Sequence, residues 1–138
     1  MRRDFTADYI SEAFRLYAIF GQPDKKTMLN MDFKEVESPY RHAIFDDLFA
    51  VCETLEHFKR SGKEHINKAI EDVYFFRADK ELQKGEINAR VVGFAVDNYV
   101  SERNVWRWLK EARKVCALYR GLNTVTACDV IKKITASN

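Results

Sequence analysis

The sequence predicts an all-α protein, a helical bundle of about five to six helices that ends in a helix-turn-helix-like unit. Apolar residues recur at spacings of three and four along most of the chain, and helix start and stop signals punctuate those stretches. Strand-like alternation is brief wherever it occurs, and no β-hairpin turn signal is present.

The first element is expected from about Ala7 to Phe20, with Thr6 as cap, Phe5 and Ile10 spaced for a hydrophobic staple, and Gly21 and Pro23 as the stop. Its apolar face is Ile10, Phe14, Tyr17 and Ala18. Residues 22–37 carry charges without sustained periodicity and read as a connector with room for one short helix. Ser38-Pro39 is a start signal, because proline lacks only an N–H that the first helical turn leaves unpaired anyway. A long helix to about Arg60 follows, in which Ile44, Leu48, Val51, Leu55 and Phe58 keep alternating spacings of four and three. Such a heptad-like seam suits another helix, either inside the bundle or on a partner. About three heptads are too few for an extended coiled coil, which favours the bundle.

Ser61-Gly62 breaks the pattern, and Glu64 to about Arg77 resumes it with Ile66, Ala69, Ile70, Val73 and Tyr74. A polar loop anchored by Leu82 leads to a helix from Glu86 to about Asn98, with Ile87, Val91, Phe94 and Ala95 inward. Gly93 in its interior weakens that helix by about 1 kcal/mol relative to Ala. The last long helix starts at Ser101, whose hydroxyl can accept from a first-turn N–H, and stops at Gly121. The tail could form one short helix around Ala127 to Ile134.

That last helix lies in the stretch Tyr99 to Leu122, YVSERNVWRWLKEARKVCALYRGL, and it divides into two sides. Val105, Leu109, Ala112 and Cys116, flanked by Trp108, Val115 and Tyr119, form an apolar stripe to be buried. Arg103, Arg107, Lys110 and Lys114 form a separate basic stripe, bordered by Arg113 and Trp106. The charge balance concentrates there. Residues 1–62 hold nine Lys/Arg against eleven Asp/Glu, while residues 99–122 hold six against only Glu102 and Glu111. The local field of this segment therefore says more about a partner than the overall charge of +2.

Residues 64–77, 86–98 and 102–120 together make a helix, loop, helix, short turn, helix. This is the layout of a tri-helical helix-turn-helix, in which the last helix enters the major groove and the one before it braces the backbone. Glu102, Arg103, Asn104 and Arg107 would then lie nearest the base edges, since Arg pairs with guanine and Asn with adenine in bidentate fashion. Lys110, Arg113 and Lys114 would contact phosphate. Trp106 can pack on sugar-phosphate, stack on Arg, or cover the adjacent helix. On this division residues 1–62 are the N-terminal partner or dimerisation region, 63–122 the DNA-binding unit and 123–138 a tail, all closing into one compact domain.

Other chemistries find little footing. His42, His57 and His65 lack HExxH or HxH spacing, and Cys52, Cys116 and Cys128 form no CxxC pair, so no metal or disulfide framework is expected. Asp46-Asp47 and Glu71-Asp72 are adjacent, diverge on a helix and read as solvated. No phosphate loop or nucleophile elbow occurs among five glycines. The expectation is a protein with no catalytic residues and no cofactor. There is no apolar run of the ~20 residues that would span a bilayer, and the N-terminus lacks an apolar signal core, so the cytoplasm is the default location.

Tyr9-Ile10-Ser11-Glu12-Ala13-Phe14-Arg15 with Gly21-Gln22-Pro23, Lys84-Gly85-Glu86-Ile87, and Ser101-Glu102-Arg103 leading into Trp108-Leu109-Lys110 resemble small proteins encoded by phages and prophage-like elements of Gram-positive bacteria. The C-terminal half is similar to the helix-turn-helix of phage late-gene regulators related to sigma-factor region 4. The resemblance implies one of two jobs. One is transcriptional control by binding double-stranded DNA, with the acidic N-terminal helices contacting the transcription machinery or a second subunit. The other is that of a recombination directionality factor, which binds a large serine recombinase and turns it towards excision. A homodimer would suit a palindromic operator, with the Ile44 to Phe58 seam available for it.

Overall fold

The structure, a computed structural model, describes residues 5–30 and 41–122. Among the described residues it is entirely helical: α1 (Phe5–Ile19), α2 (Lys25–Asn30), α3 (Arg41–Arg60), α4 (Glu64–Ile70), α5 (Glu86–Asp97) and α6 (Glu102–Arg120), with no strand. The Ser38-Pro39 start signal and the expected tail helix lie outside the described residues.

Helix α6 is the centre of the bundle. It packs against α1, α3, α4 and α5, and Val105, Leu109, Ala112 and Cys116 of its apolar stripe are completely buried. Ala112, Cys116 and Ala117 are small, so α1 and α3 can approach its C-terminal half closely. One continuous core runs from Ile10 and Phe14 of α1 through Leu48, Val51 and Phe58 of α3 to Val91 and Phe94 of α5. Segments 1–62 and 63–122 therefore share their interior.

The seam of α3 lies inside that core. Leu48, Val51 and Phe58 are fully buried, and Ile44 and Leu55 pack against them, because α1 and α6 cover this face. The expectation that Ile44, Leu48, Val51, Leu55 and Phe58 form a partner or dimer interface is thus corrected. Their heptad spacing serves an intramolecular contact.

Helix ends follow the local chemistry. In α1 the cap expected at Thr6 is replaced by a helix that already includes Phe5, whose side chain is largely exposed while Ile10 is buried. The short helix expected in the connector is α2, begun by Asp24, whose carboxylate accepts from the Thr27 N–H at 2.7 Å, and anchored by the buried Met28. Ser101 caps α6 by accepting from the Asn104 N–H at 3.1 Å.

Four helices close with the same paired backbone bonds, in which two successive N–H groups reach back to carbonyls of the last turn. The pairs are Gly21 and Gln22 to Ala18 and Tyr17, Gly62 and Lys63 to Lys59 and Phe58, Tyr99 and Val100 to Val96 and Ala95, and Gly121 and Leu122 to Leu118 and Ala117. The first residue of each pair is left-handed, and three of the four are glycine. At Tyr99 (φ 55°) the position carries a Cβ, a conformation that costs about 1 kcal/mol or more in an L-residue.

Helix α4 widens at its end into a π-helical turn, Glu71–Phe75, closed by the Phe76 N–H donating to the Glu71 carbonyl at 2.9 Å. The turn packs on α1, α4 and α5, and three consecutive residues, Val73, Tyr74 and Phe75, are buried. Arg90 of α5 donates to the Val73 carbonyl at 2.8 Å, and its guanidinium lies over the Phe76 ring. The chain leaves the helix at Phe76, just before the expected end at Arg77.

Asp47 is a second departure from the sequence reading. It is 8 % exposed, accepts from the Arg120 Nε at 2.6 Å, and accepts from the Tyr9 hydroxyl at 2.8 and 2.9 Å. This knot ties α1, α3 and α6 together. Burial, followed by the hydrogen bond and negative charge of Asp47, raises the Tyr9 pKa. For Arg120 burial opposes the charge, but Asp47 and Tyr9 outweigh it and the net shift is upward. Asp46, its neighbour, is exposed as expected.

Replacing Asp47 by Ala would leave the Arg120 guanidinium mostly buried without its partner. A loss of about 3 kcal/mol is expected in urea denaturation, against less than about 0.5 kcal/mol for Asp46→Ala. A second outcome concerns alkaline pH. Burial pushes the Cys116 thiol up to about 12, and burial also raises Tyr17 above its ordinary value, with Cys52 adding to the shift. The folded state holds protons there that the unfolded chain releases from about pH 9 upward, so stability should be intact below about pH 9 and fall as pH rises towards 12. Urea midpoints at pH 7.5, 9 and 10.5 measure this, and Cys116→Ala should flatten the decline.

Candidate nucleic-acid interface

The basic stripe of α6 is set by the burial of its opposite side. At 100° per residue Arg103, Arg107, Lys110 and Lys114 fall within about a 60° sector facing away from Val105, Leu109, Ala112 and Cys116. All four are exposed. From Arg103 to Lys114 the row extends about 16 Å along the axis. None of the four forms an ion pair with a described acidic residue; Arg107 reaches only the Asn104 side-chain oxygen, at 3.5 Å.

Several cations elsewhere are engaged. Lys25 pairs with Glu53 and Glu56, Lys63 with Glu111 at 3.0 Å, Arg90 with Glu86, and Arg120 with Asp47. The Lys63 contact removes Glu111 from the neighbourhood of the stripe, since it is held towards the α3–α4 corner. Glu102 is exposed at the first turn, where a carboxylate is favoured by the helix dipole.

The expected site residues divide under this geometry. Glu102, Arg103, Arg107, Lys110 and Lys114 face solvent together, while Asn104 is half-buried, with its backbone N–H on Ser101. Arg113 differs: it is half-buried and donates to the Tyr74 hydroxyl at 2.8 Å, which in turn lies 3.5 Å from the Ser11 hydroxyl. This bond turns one end of the Arg113 guanidinium, expected as a phosphate contact, towards the end of α4 and α1. Trp106, 37 % exposed, lies at the border of the stripe, whereas Trp108 is half-buried with its ring 4.6 Å from His65.

Helices α5 and α6 are joined by only four residues, 98–101. The corner bears two exposed residues the sequence reading passed over, Val96 (68 %) and Tyr99 (96 %). The only sequence signal for them was a tight corner without glycine.

A cleft of about 320 Å³ between α1 and α3 is lined by Tyr9, Arg15, Leu16 and Asp47. Its polar groups are turned on the protein itself: Tyr9 on Asp47, and Arg15 on Glu12 and on the carbonyls of Ala78 and Lys80. Among the described residues no group of three His, Cys, Asp or Glu side chains is placed to hold a metal ion, and no helix is long and apolar enough to cross a membrane. Cys52 and Cys116 are buried free thiols, and the burial of both raises their pKa, so neither is primed as a thiolate. Compared with known protein families, with curated protein sequences and with solved structures, the chain matches none.

Because the stripe carries no internal ion pair, its alanine variants should leave the fold intact. Arg103→Ala, Arg107→Ala, Lys110→Ala and Lys114→Ala are each expected within about 0.5 kcal/mol of the parent in urea unfolding. Arg113→Ala should cost about 1–2 kcal/mol through the Tyr74 hydroxyl. Equal losses at all five positions would show that the stripe is structural.

Proposed function

We propose that the protein is a DNA-binding regulatory protein that uses α4, α5 and α6 as a helix-turn-helix, with α6 in the major groove of double-stranded DNA. The row Arg103, Arg107, Lys110 and Lys114 carries this reading: four exposed cations without an acidic partner among the described residues, on a helix held rigidly by the core. A major groove about 12 Å wide admits one helix, and the short 98–101 corner lets α5 brace it. Arg103 and Arg107, near the N-terminal end, are the candidates for guanine readout. Lys110 and Lys114 neutralise phosphate and set affinity. Arg113 fixes the helix through Tyr74 and does not read DNA itself.

The setting we infer is that of phages and prophage-like elements, as the sequence resemblance implies. The alternative job, a recombination directionality factor acting through protein contacts, relied mainly on the α3 seam and the acidic half. With Leu48, Val51 and Phe58 inside the core, that seam offers no surface, which favours the DNA reading.

Binding to duplex DNA followed by fluorescence anisotropy should weaken linearly in log-log form with salt. The two phosphate-neutralising lysines correspond to a slope of about −1.8. The double variant Arg103→Ala with Arg107→Ala should weaken binding and level the affinities for different sequences, whereas Lys110→Ala with Lys114→Ala should reduce the slope by about two, both with unchanged melting. No binding to any duplex at low salt would overturn the proposal.

A further inference from the structure

The α5–α6 corner holds a side chain that the fold does not need. Three sister helix ends place glycine at the left-handed position, and only here does a tyrosine stand in its place, at φ 55°. A Cβ in that region disfavours the folded state by roughly fivefold. Among the described residues no side-chain hydrogen bond, ion pair or ring contact of Tyr99 compensates for it. Tyr99 is 96 % exposed, and its hydroxyl forms no hydrogen bond with a described residue.

Its location is informative. Tyr99 stands two residues ahead of the Ser101 cap and four ahead of Arg103 in the chain, in the corner that leads into the end of α6 where the basic stripe begins. Val96, the other exposed apolar residue here, lies one turn back on α5. We propose that Tyr99 is a DNA-positioning residue: its hydroxyl donates to a phosphate oxygen and its ring packs on the adjoining sugar as α6 enters the groove. This rests on the DNA-binding reading of α6. Phosphate contacts of this kind fix the register of a recognition helix without carrying sequence information, and tyrosine hydroxyls are among the groups that make them. The positive field of Arg103 and Arg107 brings the backbone to the corner, and Tyr99 supplies a contact that is not ionic.

The test exploits opposite signs in one variant. Tyr99→Gly removes the Cβ from a left-handed residue, and the melting temperature is expected to rise by about 2–4 °C. The same variant should bind duplex DNA about tenfold more weakly, by an equal factor for all sequences and with the salt slope unchanged, since no cation is lost. Tyr99→Phe should lose about threefold from the hydroxyl alone. Tyr99→Gly binding as tightly as the parent, while Arg103→Ala with Arg107→Ala weakens binding, overturns the Tyr99 assignment and leaves the DNA reading standing. Absence of duplex binding by the parent chain overturns both. A lower melting temperature for Tyr99→Gly would show that the tyrosine serves the fold, and would also overturn the assignment.

Discussion

Burial of the apolar stripe of α6 is the contact on which the other elements depend. Four helices pack against α6, whose Val105, Leu109, Ala112, Cys116 and Ala117 are buried, so this helix sits at the centre of the core and joins both halves of the chain. Each fully buried aliphatic side chain contributes about 1.5–3 kcal/mol relative to exposure, and the small residues at 112, 116 and 117 allow the close packing that realises it. With three sides covered, one sector remains for charge. Arg103, Arg107, Lys110 and Lys114 are exposed together because they occupy the sector opposite the buried stripe, while Arg113 and Arg120 in other sectors are drawn into the fold by Tyr74 and Asp47.

Polar contacts then select one arrangement from those the apolar stripes would permit. Asp47 accepts from both Tyr9 and Arg120, and Tyr74 links Ser11 to Arg113, so α1 is pinned to α6 at two levels, once through α3 and once through the end of α4. Removing such groups from water costs energy that their attraction roughly repays, so the gain is chiefly in register rather than net stability. Register matters here, because rotating α6 by one residue would bury part of the cationic row.

Periodicity made much of this readable in advance. Ile66, Ala69, Ile70, Val73 and Tyr74 are all buried as their spacing requires, and Ser101 and Gly121 bound α6 as their side-chain chemistry requires. The unread parts depend on distant partners. Asp47 differs from the solvated Asp46 only in facing Arg120, 73 residues away in sequence, and no local pattern encodes that. Arg113 belongs to the cationic border in a helical projection, yet Tyr74, 39 residues earlier, draws it aside. The π-helical turn was likewise invisible, because three consecutive buried residues arise from neighbours on several sides and not from one amphipathic face. For the seam of α3, spacing identified the contact correctly but could not say whether the partner lay inside the chain or outside it.

An exposed basic helix face is often no more than a solvated surface, and the difference here lies in where the acids are. A solvated face ordinarily interleaves both signs, and neighbouring charges at one-turn spacing pair across it. On α6 the nearby carboxylates are instead committed elsewhere, Glu111 to Lys63 and Asp47 to Arg120. Apart from Glu102 at the first turn, the exposed charge in this sector is of one sign and held on a packed helix, so the proposed partner would have to match a straight row of charges with fixed spacing. A duplex meets that demand with its regular line of phosphates, whereas an acidic peptide would have to order its own chain to do so and lose conformational entropy in the process.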